Sequence, residues 1–520
     1  MIDPRTPVVI GVGQFSERYD DEDYRALSAV ELAAHAARAA IANTGADPAA
    51  VTARVHTVAG VRQFEMSVPG MPVPLGRSDN FPRSVADRVG ATPVNAALEV
   101  TGGQSPQKLV NEFAAAIAAG ATDAVLLFGA EAISTARHLA GRPDAPDFTE
   151  VRGGQLDDRG YGLEGLVTKY MVIHGLVSPA SQYGLFENAR RDRLGMRRET
   201  YARSMGELFA PFTKVASANP HSASSAVYGA DELATVTDRN RMIADPYPRL
   251  LMARDQVNQG AAVLLTSVGA ATELGVPQDR WVFLHGHADL REHDIMDRPD
   301  LGASPATVAA AQHALDVAGI GTDDLGVLDL YSCFPIAVST VADGLGLTAD
   351  DPRGLTATGG LPYFGGAGNN YSMHAIAEVV ARLREMPGSF GFVGANGGML
   401  SKYSAGVYST TPAPWRPDRS TELQAELDGA PTVATTEQPD GEGTIETYTI
   451  RHDRDKLTAI VVGRLPDGSR FLAKNDDGDT ELIELLATDV PFGHKVFVRP
   501  GEWGNTVTLR PQPCPGSQHS

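Results

Sequence analysis

Cysteine is the scarcest reactive residue in this 520-residue chain, occurring twice, as Cys333 in LDLYSCFPIAV and as Cys514 in a Pro- and Ser-rich tail. The strand pattern of VLDLYSCF sets Cys333 at a strand's C-terminal end, where α/β sheets bring their ligands. A thiol there could move a proton or attack a carbon, and it could equally be a small apolar side chain in a core. Histidine offers the second candidate. The stretch GNNYSMH gathers Asn370, Tyr371 and His374 beside glycines at the start of a helical pattern. Such a cluster can donate, accept and exchange protons.

Positioning these groups falls to alternating elements. TPVVIGVGQF, DAVLLFGAEAIS, GAAVLLTSVG, RWVFLHGHADL, GVLDLYSCF and GSFGFVGANGGMLSKYSAGVYST read as buried strands. Between them SAVELAAHAARAAIANTG, PQKLVNEFAAAIAAG, SPATVAAAQHALDVAGIG and SMHAIAEVVARLREMPG carry helical periodicity. Alternation of this kind predicts an α/β architecture with helices on both faces of the sheets. Residues 137–245 break the rhythm and read as an inserted, mainly helical subdomain. A Pro-rich linker is expected over 413–430, and short alternating strands over 431–512 predict a small all-β barrel. GVGQFS lacks the third glycine and the acidic ribose partner of a dinucleotide fingerprint, and reads as a glycine-permitted strand exit. No metal-ligand spacing is present, so no metal is expected.

Composition narrows the partners. With 44 Lys+Arg against 64 Asp+Glu the formal charge is −20, which repels phosphate backbones and argues against nucleic acid. Two cysteines make no disulfide framework, the N-terminus shows no signal peptide, and no apolar run approaches the roughly 20 residues that span a bilayer. A cytoplasmic protein without membrane attachment is expected.

Several segments, in order, resemble the thiolase superfamily in its sterol-carrier-protein thiolase branch. These are VVIGVGQF, GGQSPQKLVNEFAAAIAAGATDAVLLFGAEAIS, ANPHS, DPYPRLLMARDQVNQGAAVLLTS, GGLPYFGGAGNNYSMHAIAEVVARL and ANGGMLSKYSAGVYS, together covering about 7–409. The resemblance implies a five-layer α-β-α-β-α sandwich of two similar halves, here 1–136 with 246–275 and then 276–412. It also implies chemistry on the bond α to an acyl-coenzyme A thioester, with the thioester as ligand and no covalently bound cofactor. The barrel over 431–512 resembles OB-fold domains, for which a structural or docking role is expected.

Carried over residue by residue, the resemblance exposes gaps. Gly103 stands where thiolases carry the nucleophilic cysteine, and Ser105, two residues on, has no histidine nearby in sequence. Gly366 stands at the histidine of the Gly-His-Pro motif. Cys333 matches the acid/base cysteine of His-Asp-Cys-Phe, with Tyr331 and Ser332 replacing the histidine and aspartate. Cys333 and His374 are therefore the candidate acid/base groups, and Tyr331, Gly366, Asn370, Tyr371 and Asn396 the candidate substrate contacts. The leading expectation is an acyl-coenzyme A-binding, thiolase-like protein of lipid metabolism that lacks standard thiolysis. The alternatives are a retro-aldol or Claisen-type enzyme using Cys333, tyrosine and His374, or a non-catalytic scaffold. A homodimer, or a partner held through the barrel, is also open.

Overall fold

The computed structural model describes residues 2–511 apart from Gly165 and Asp455, so Cys514 and the tail expected over 513–520 lie outside the described residues. Strand β1 (Pro7–Ser16) is buried for most of its length under helix α1 (Ala29–Asn43), whose N-terminus is capped by the Ser28 hydroxyl. The buried face of α1 is largely alanine, which lets helix and strand approach closely. A Cβ on Gly11 or Gly13 would stand 2.2 Å from the carbonyl oxygen of Ala40 or Ala36. The glycines of GVGQFS thus serve helix docking inside a strand that runs on to Ser16, rather than the strand exit expected.

Strand β2 (Thr57–Val61), α2 (Phe81–Val89), β3 (Asn95–Glu99), α3 (Ser105–Ala118) and β4 (Ala124–Ala132) continue the first half. The short strands β2 and β3 escape a reading of periodicity, being five residues each, and β3 has no β-branched side chain. The segment 137–245 then supplies β5 (Asp157–Asp158), α4 (Pro179–Arg193), α5 (Arg198–Ala218) and β6 (Met242–Ala244). After β7 (Tyr247–Pro248), strand β8 (Asn258–Ser267) returns to the sheet, ordered β5-β3-β2-β4-β8-β1. β5 covers the outer edge of β3, where Arg159 holds Glu99 and Glu112 and Arg62 pairs with Asp158.

The second half runs β9 (Val282–Arg291), α6 (Pro305–Ala318), β10 (Leu325–Leu330), α7 (Pro335–Leu345), α8 (Tyr371–Glu385), β11 (Phe390–Gly397) and β12 (Lys402–Ser409). Its strands lie in the order β10-β11-β12-β9, joined to β1 by the pairs Val8↔Phe283 and Val9↔Val282. Helices α3 and α8 pack between the two halves, α1 and α2 cover the outer face of the first, and α6 and α7 that of the second. This is the five-layer sandwich. Besides the 137–245 insertion, the halves differ between α7 and α8, where residues 355–366 run through turns and irregular backbone with no strand among the described residues.

The stretch expected as a linker, 413–430, instead carries helix α9 (Ser420–Asp428), packed on β9 and α6, with Trp415 stacked on His287 at 4.6 Å. Apolar contact there favours a fixed strap over a free chain. Strands β13 (Gly441–His452), β14 (Leu457–Arg464), β15 (Arg470–Asn475), β16 (Lys495–Arg499) and β17 (Thr506–Thr508) close a five-stranded barrel around Ile445, Tyr448, Val461, Phe471 and Val496. β13 also pairs with β6 through Arg451↔Ala244. Buried Arg470 donates to the carbonyls of Met296 and Arg298, both at 2.7 Å, and to Glu446. The barrel is therefore bonded into the core and the inserted region alike. Among the described residues no helix is long and apolar enough to cross a membrane.

Candidate functional site

The turn between β3 and α3 meets a loop of the second half. The Gly102 N–H donates to Asn369 Oδ1 at 3.1 Å, and Ser372 Oγ donates to the Gly103 carbonyl at 2.5 Å. Asn370 Nδ2 reaches the Gly129 carbonyl at 2.7 Å. Tyr331 fills the remaining space, because a Cβ on Gly103 would lie 2.2 Å from its phenol oxygen and 2.5 Å from the ring. Tyr371 meets the Tyr331 ring edge-on at 5.4 Å and hydrogen-bonds with Thr358 Oγ1 at 2.5 Å. Burial raises both phenols well above their ordinary pKa. The tertiary structure thus sets Tyr331 against Gly103 and Tyr371 against Tyr331, while Asn370 bonds strand β4 at Gly129.

Cys333 is 8% exposed and belongs to an adjoining cluster. Asn396 Nδ2 lies 3.8 Å from its sulfur and donates to Tyr183 Oη at 2.7 Å, while Tyr183 donates to the Gly398 carbonyl at 2.9 Å. Burial pushes the Cys333 thiol up to about 12, which keeps it protonated at neutral pH. Tyr183 comes from α4 in the inserted region, where no local sequence signal marked it. Asp329 was equally unmarked. Fully buried, it accepts from the Ala357 and Thr358 amides at 2.8 and 3.0 Å and from Tyr371 Oη at 3.2 Å.

His374 lies apart from both clusters. It is fully buried, and its Nδ1 meets Gln14 Oε1 at 2.7 Å. Gln14 Nε2 donates to Glu378 at 2.8 Å, which fixes the amide orientation and puts the His374 proton on Nδ1. Burial holds the ring's pKa well below its ordinary value, and Nε2 has no hydrogen-bond partner among the described residues. Asn219 Nδ2 reaches the same Glu378 oxygen at 2.9 Å and Asn219 Oδ1 accepts from the His221 N–H at 3.0 Å, so this network extends to His221. The Gly366 N–H donates to the Arg254 carbonyl at 2.7 Å, on the far side of the same loop.

None of these expected residues lines the principal cavities. One, of about 620 Å³, opens at the C-terminal ends of β1 and β4 and is walled by Ser16, Arg18, His221, Arg254, Asn258 and Gln259 among others. This crevice lies outside the carboxyl ends of strands, the usual ligand position in α/β sheets. Three of its lining residues bury polar atoms that find no partner among the described residues: Ser222 Oγ, Asn258 Nδ2 and Gln259 Oε1. Each of these residues is 2% exposed or less. Their near-zero exposure puts these atoms behind the cleft wall, out of an occupant's reach without side-chain movement, so each is a local desolvation cost. Arg18 and Arg254 add positive charge, each donating to a carbonyl of the 222–223 turn.

Residues 422–502 match the thiolase-like protein type 1 additional C-terminal domain. No curated protein sequence matched the chain. The peroxisomal thiolase of Saccharomyces cerevisiae shares the fold at 14% identity and TM-score 0.55, over 79% of this chain and 98% of its own. The Ltp2-ChsH2(DUF35) aldolase does so at 20% and 0.56, over 78% and 98%. A crystal structure of a monomeric SCP2-thiolase-like protein type 1 from Mycobacterium smegmatis is 51% identical, with TM-score 0.84, over 98% of this chain and 100% of that one. At that identity over nearly the whole length, the chain belongs to the SCP2-thiolase-like protein type 1 family.

Proposed function

We propose that this protein binds an acyl-coenzyme A or related thioester of lipid metabolism and does not carry out thiolysis. The observation that carries this reading is the Tyr331 phenol standing where a side chain at Gly103 would begin. A thiolase needs a thiolate there to hold the acyl group, and loss of an attacking group costs many powers of ten in rate. The ligand's place, on this reading, is the 620 Å³ cleft, whose volume suits a ligand of that size and whose wall carries Arg18 and Arg254 beside Glu17 and Asp20. No covalent cofactor is involved.

The retro-aldol alternative draws less support. Cys333, Tyr331 and Tyr371 are buried in packed clusters that keep them protonated at neutral pH, so they are poor acids and are not available as bases. Covering of the β3 edge by β5 favours a monomer over a sheet-extended dimer, in keeping with the monomeric relative. Two measurements test the proposal. Acyl-coenzyme A compounds should raise the melting temperature with concentration. Acetoacetyl-coenzyme A with free coenzyme A should give no thiolytic turnover, and normal turnover would refute the proposal.

A further inference from the structure

The cleft carries a nucleophile and a base in contact, and no part of the reading above uses them. Ser16 Oγ lies 3.1 Å from His221 Nδ1, although the two residues are 205 positions apart in the chain. Both line the 620 Å³ cleft. Ser16 is the last residue of β1, so a regular sheet element holds it, with its backbone in register opposite Gln259. His221 is held from two sides: its N–H donates to Asn219 Oδ1 at 3.0 Å, and its carbonyl accepts from Gln259 Nε2 at 2.8 Å. A serine alone is a weak nucleophile, and an adjacent imidazole is the common means of activating it.

From this geometry we infer that the cleft is a thioesterase site, in which Ser16 is the nucleophile and His221 the general base acting on a bound acyl thioester. The inference rests on the cleft being the thioester site, as proposed above. In the first step Ser16 Oγ bonds to the thioester carbonyl carbon, and His221 Nδ1 takes the hydroxyl proton. The carbon–sulfur bond then breaks, and the proton passes from His221 to the departing thiolate. In the second step water attacks the acyl-serine ester, His221 accepts the water's proton and returns it to Ser16, and a carboxylic acid leaves. The sum is thioester plus water to acid plus thiol, with no change of oxidation state.

Two surrounding features suit these steps. His221 must begin neutral, and burial, with Arg18 adding to it, lowers its pKa from the ordinary value. The Glu378 carboxylate opposes that shift, so it stabilises the imidazolium that forms as the proton is taken. The developing oxyanion needs a fixed donor. Arg18 and Arg254 line the same cleft, each anchored by a carbonyl of the 222–223 turn, and a guanidinium has N–H donors beyond those such a bond takes.

The test uses the full chain with butyryl-coenzyme A, following release of coenzyme A thiol with a chromogenic disulfide. Wild type should release thiol, and Ser16→Ala and His221→Asn should each lower the rate about 100-fold or more. Phenylmethanesulfonyl fluoride should modify the Ser16 peptide in wild type and not in His221→Asn. The S-butyl thioether of coenzyme A, which cannot be hydrolysed, should still raise the melting temperature of Ser16→Ala, showing that the variant folds and binds. Thiol release unchanged in Ser16→Ala overturns the inference. Thioether binding without thiol release by wild type also overturns it and leaves the binding proposal standing, whereas failure to bind the thioether defeats both.

Discussion

Tyr331 and Gly103 come from opposite halves of the sandwich, yet the phenol oxygen of one occupies the position of the first side-chain atom the other would need, 2.2 Å from a Cβ. The relationship is steric rather than polar, and it makes glycine at 103 a requirement of the packing. Gly366 differs, since a Cβ there would meet the Arg254 carbonyl at 3.3 Å, a contact that a few tenths of an ångström would relieve.

Gly103→Cys should therefore destabilise the fold by about 1–3 kcal/mol through overpacking. It should restore no thiolysis, because the phenol blocks the new sulfur. Adding Tyr331→Ala should recover part of the stability, since the two changes share one space. Urea midpoints of the single and double variants measure this directly, and purely additive losses would contradict the steric account.

Cys333 should resist alkylation. With its thiol pushed up to about 12 by burial, the thiolate fraction at pH 8 is on the order of one in ten thousand. Iodoacetamide at pH 8 should leave the Cys333 peptide unmodified in the native protein and alkylate it in guanidinium chloride, as read by peptide mass. Rapid native labelling would place the sulfur in an accessible, activated site instead.

Asp289 gives stability a pH dependence. Burial raises its pKa from 3.8 to about 6, against the hydrogen bonds from Ser404 and Asn111. The native state thus keeps a proton that the unfolded chain has already released, and stability falls as pH rises through about 6. Between pH 4.5 and 7.5 wild type should lose about 2 kcal/mol that Asp289→Asn does not lose. Parallel denaturation curves at several pH values check this, and equal slopes for the two proteins would rule it out.

Arg470 is the polar anchor between barrel and core. Arg470→Met removes its bonds to Glu446 and leaves the Met296 and Arg298 carbonyls without it. Breaking a buried charged network of this kind typically costs about 3–5 kcal/mol. Limited proteolysis should then cut near β15 well below the wild-type melting temperature. A barrel that merely hung on a linker would tolerate the change.

Much of the fold was legible because its signals are local. Apolar β-branched runs gave β1, β4, β8, β9, β11 and β12, and alanine-rich periodicity gave α1, α3, α6 and α8. β2 and β3 were not legible, because five residues hold little periodic pattern and β3 carries no β-branched side chain. α9 was obscured by the prolines before it, which mark an extended start and say nothing about what the next turn packs on.

The site divides along the same line. Sequence alone determined that position 103 has no side chain and position 366 no imidazole, since covalent identity needs no fold to be known. It also flagged Tyr331, which stands against Gly103, Tyr371, which meets the Tyr331 ring, and Asn370, which instead bonds the Gly129 carbonyl. Only the tertiary structure decided that Tyr331 fills the gap, that Cys333 is sealed behind Tyr183 and Asn396, and that Ser16 meets His221 in an open cleft. Each of those is a contact between segments far apart in the chain, set by how layers pack and not by any local pattern.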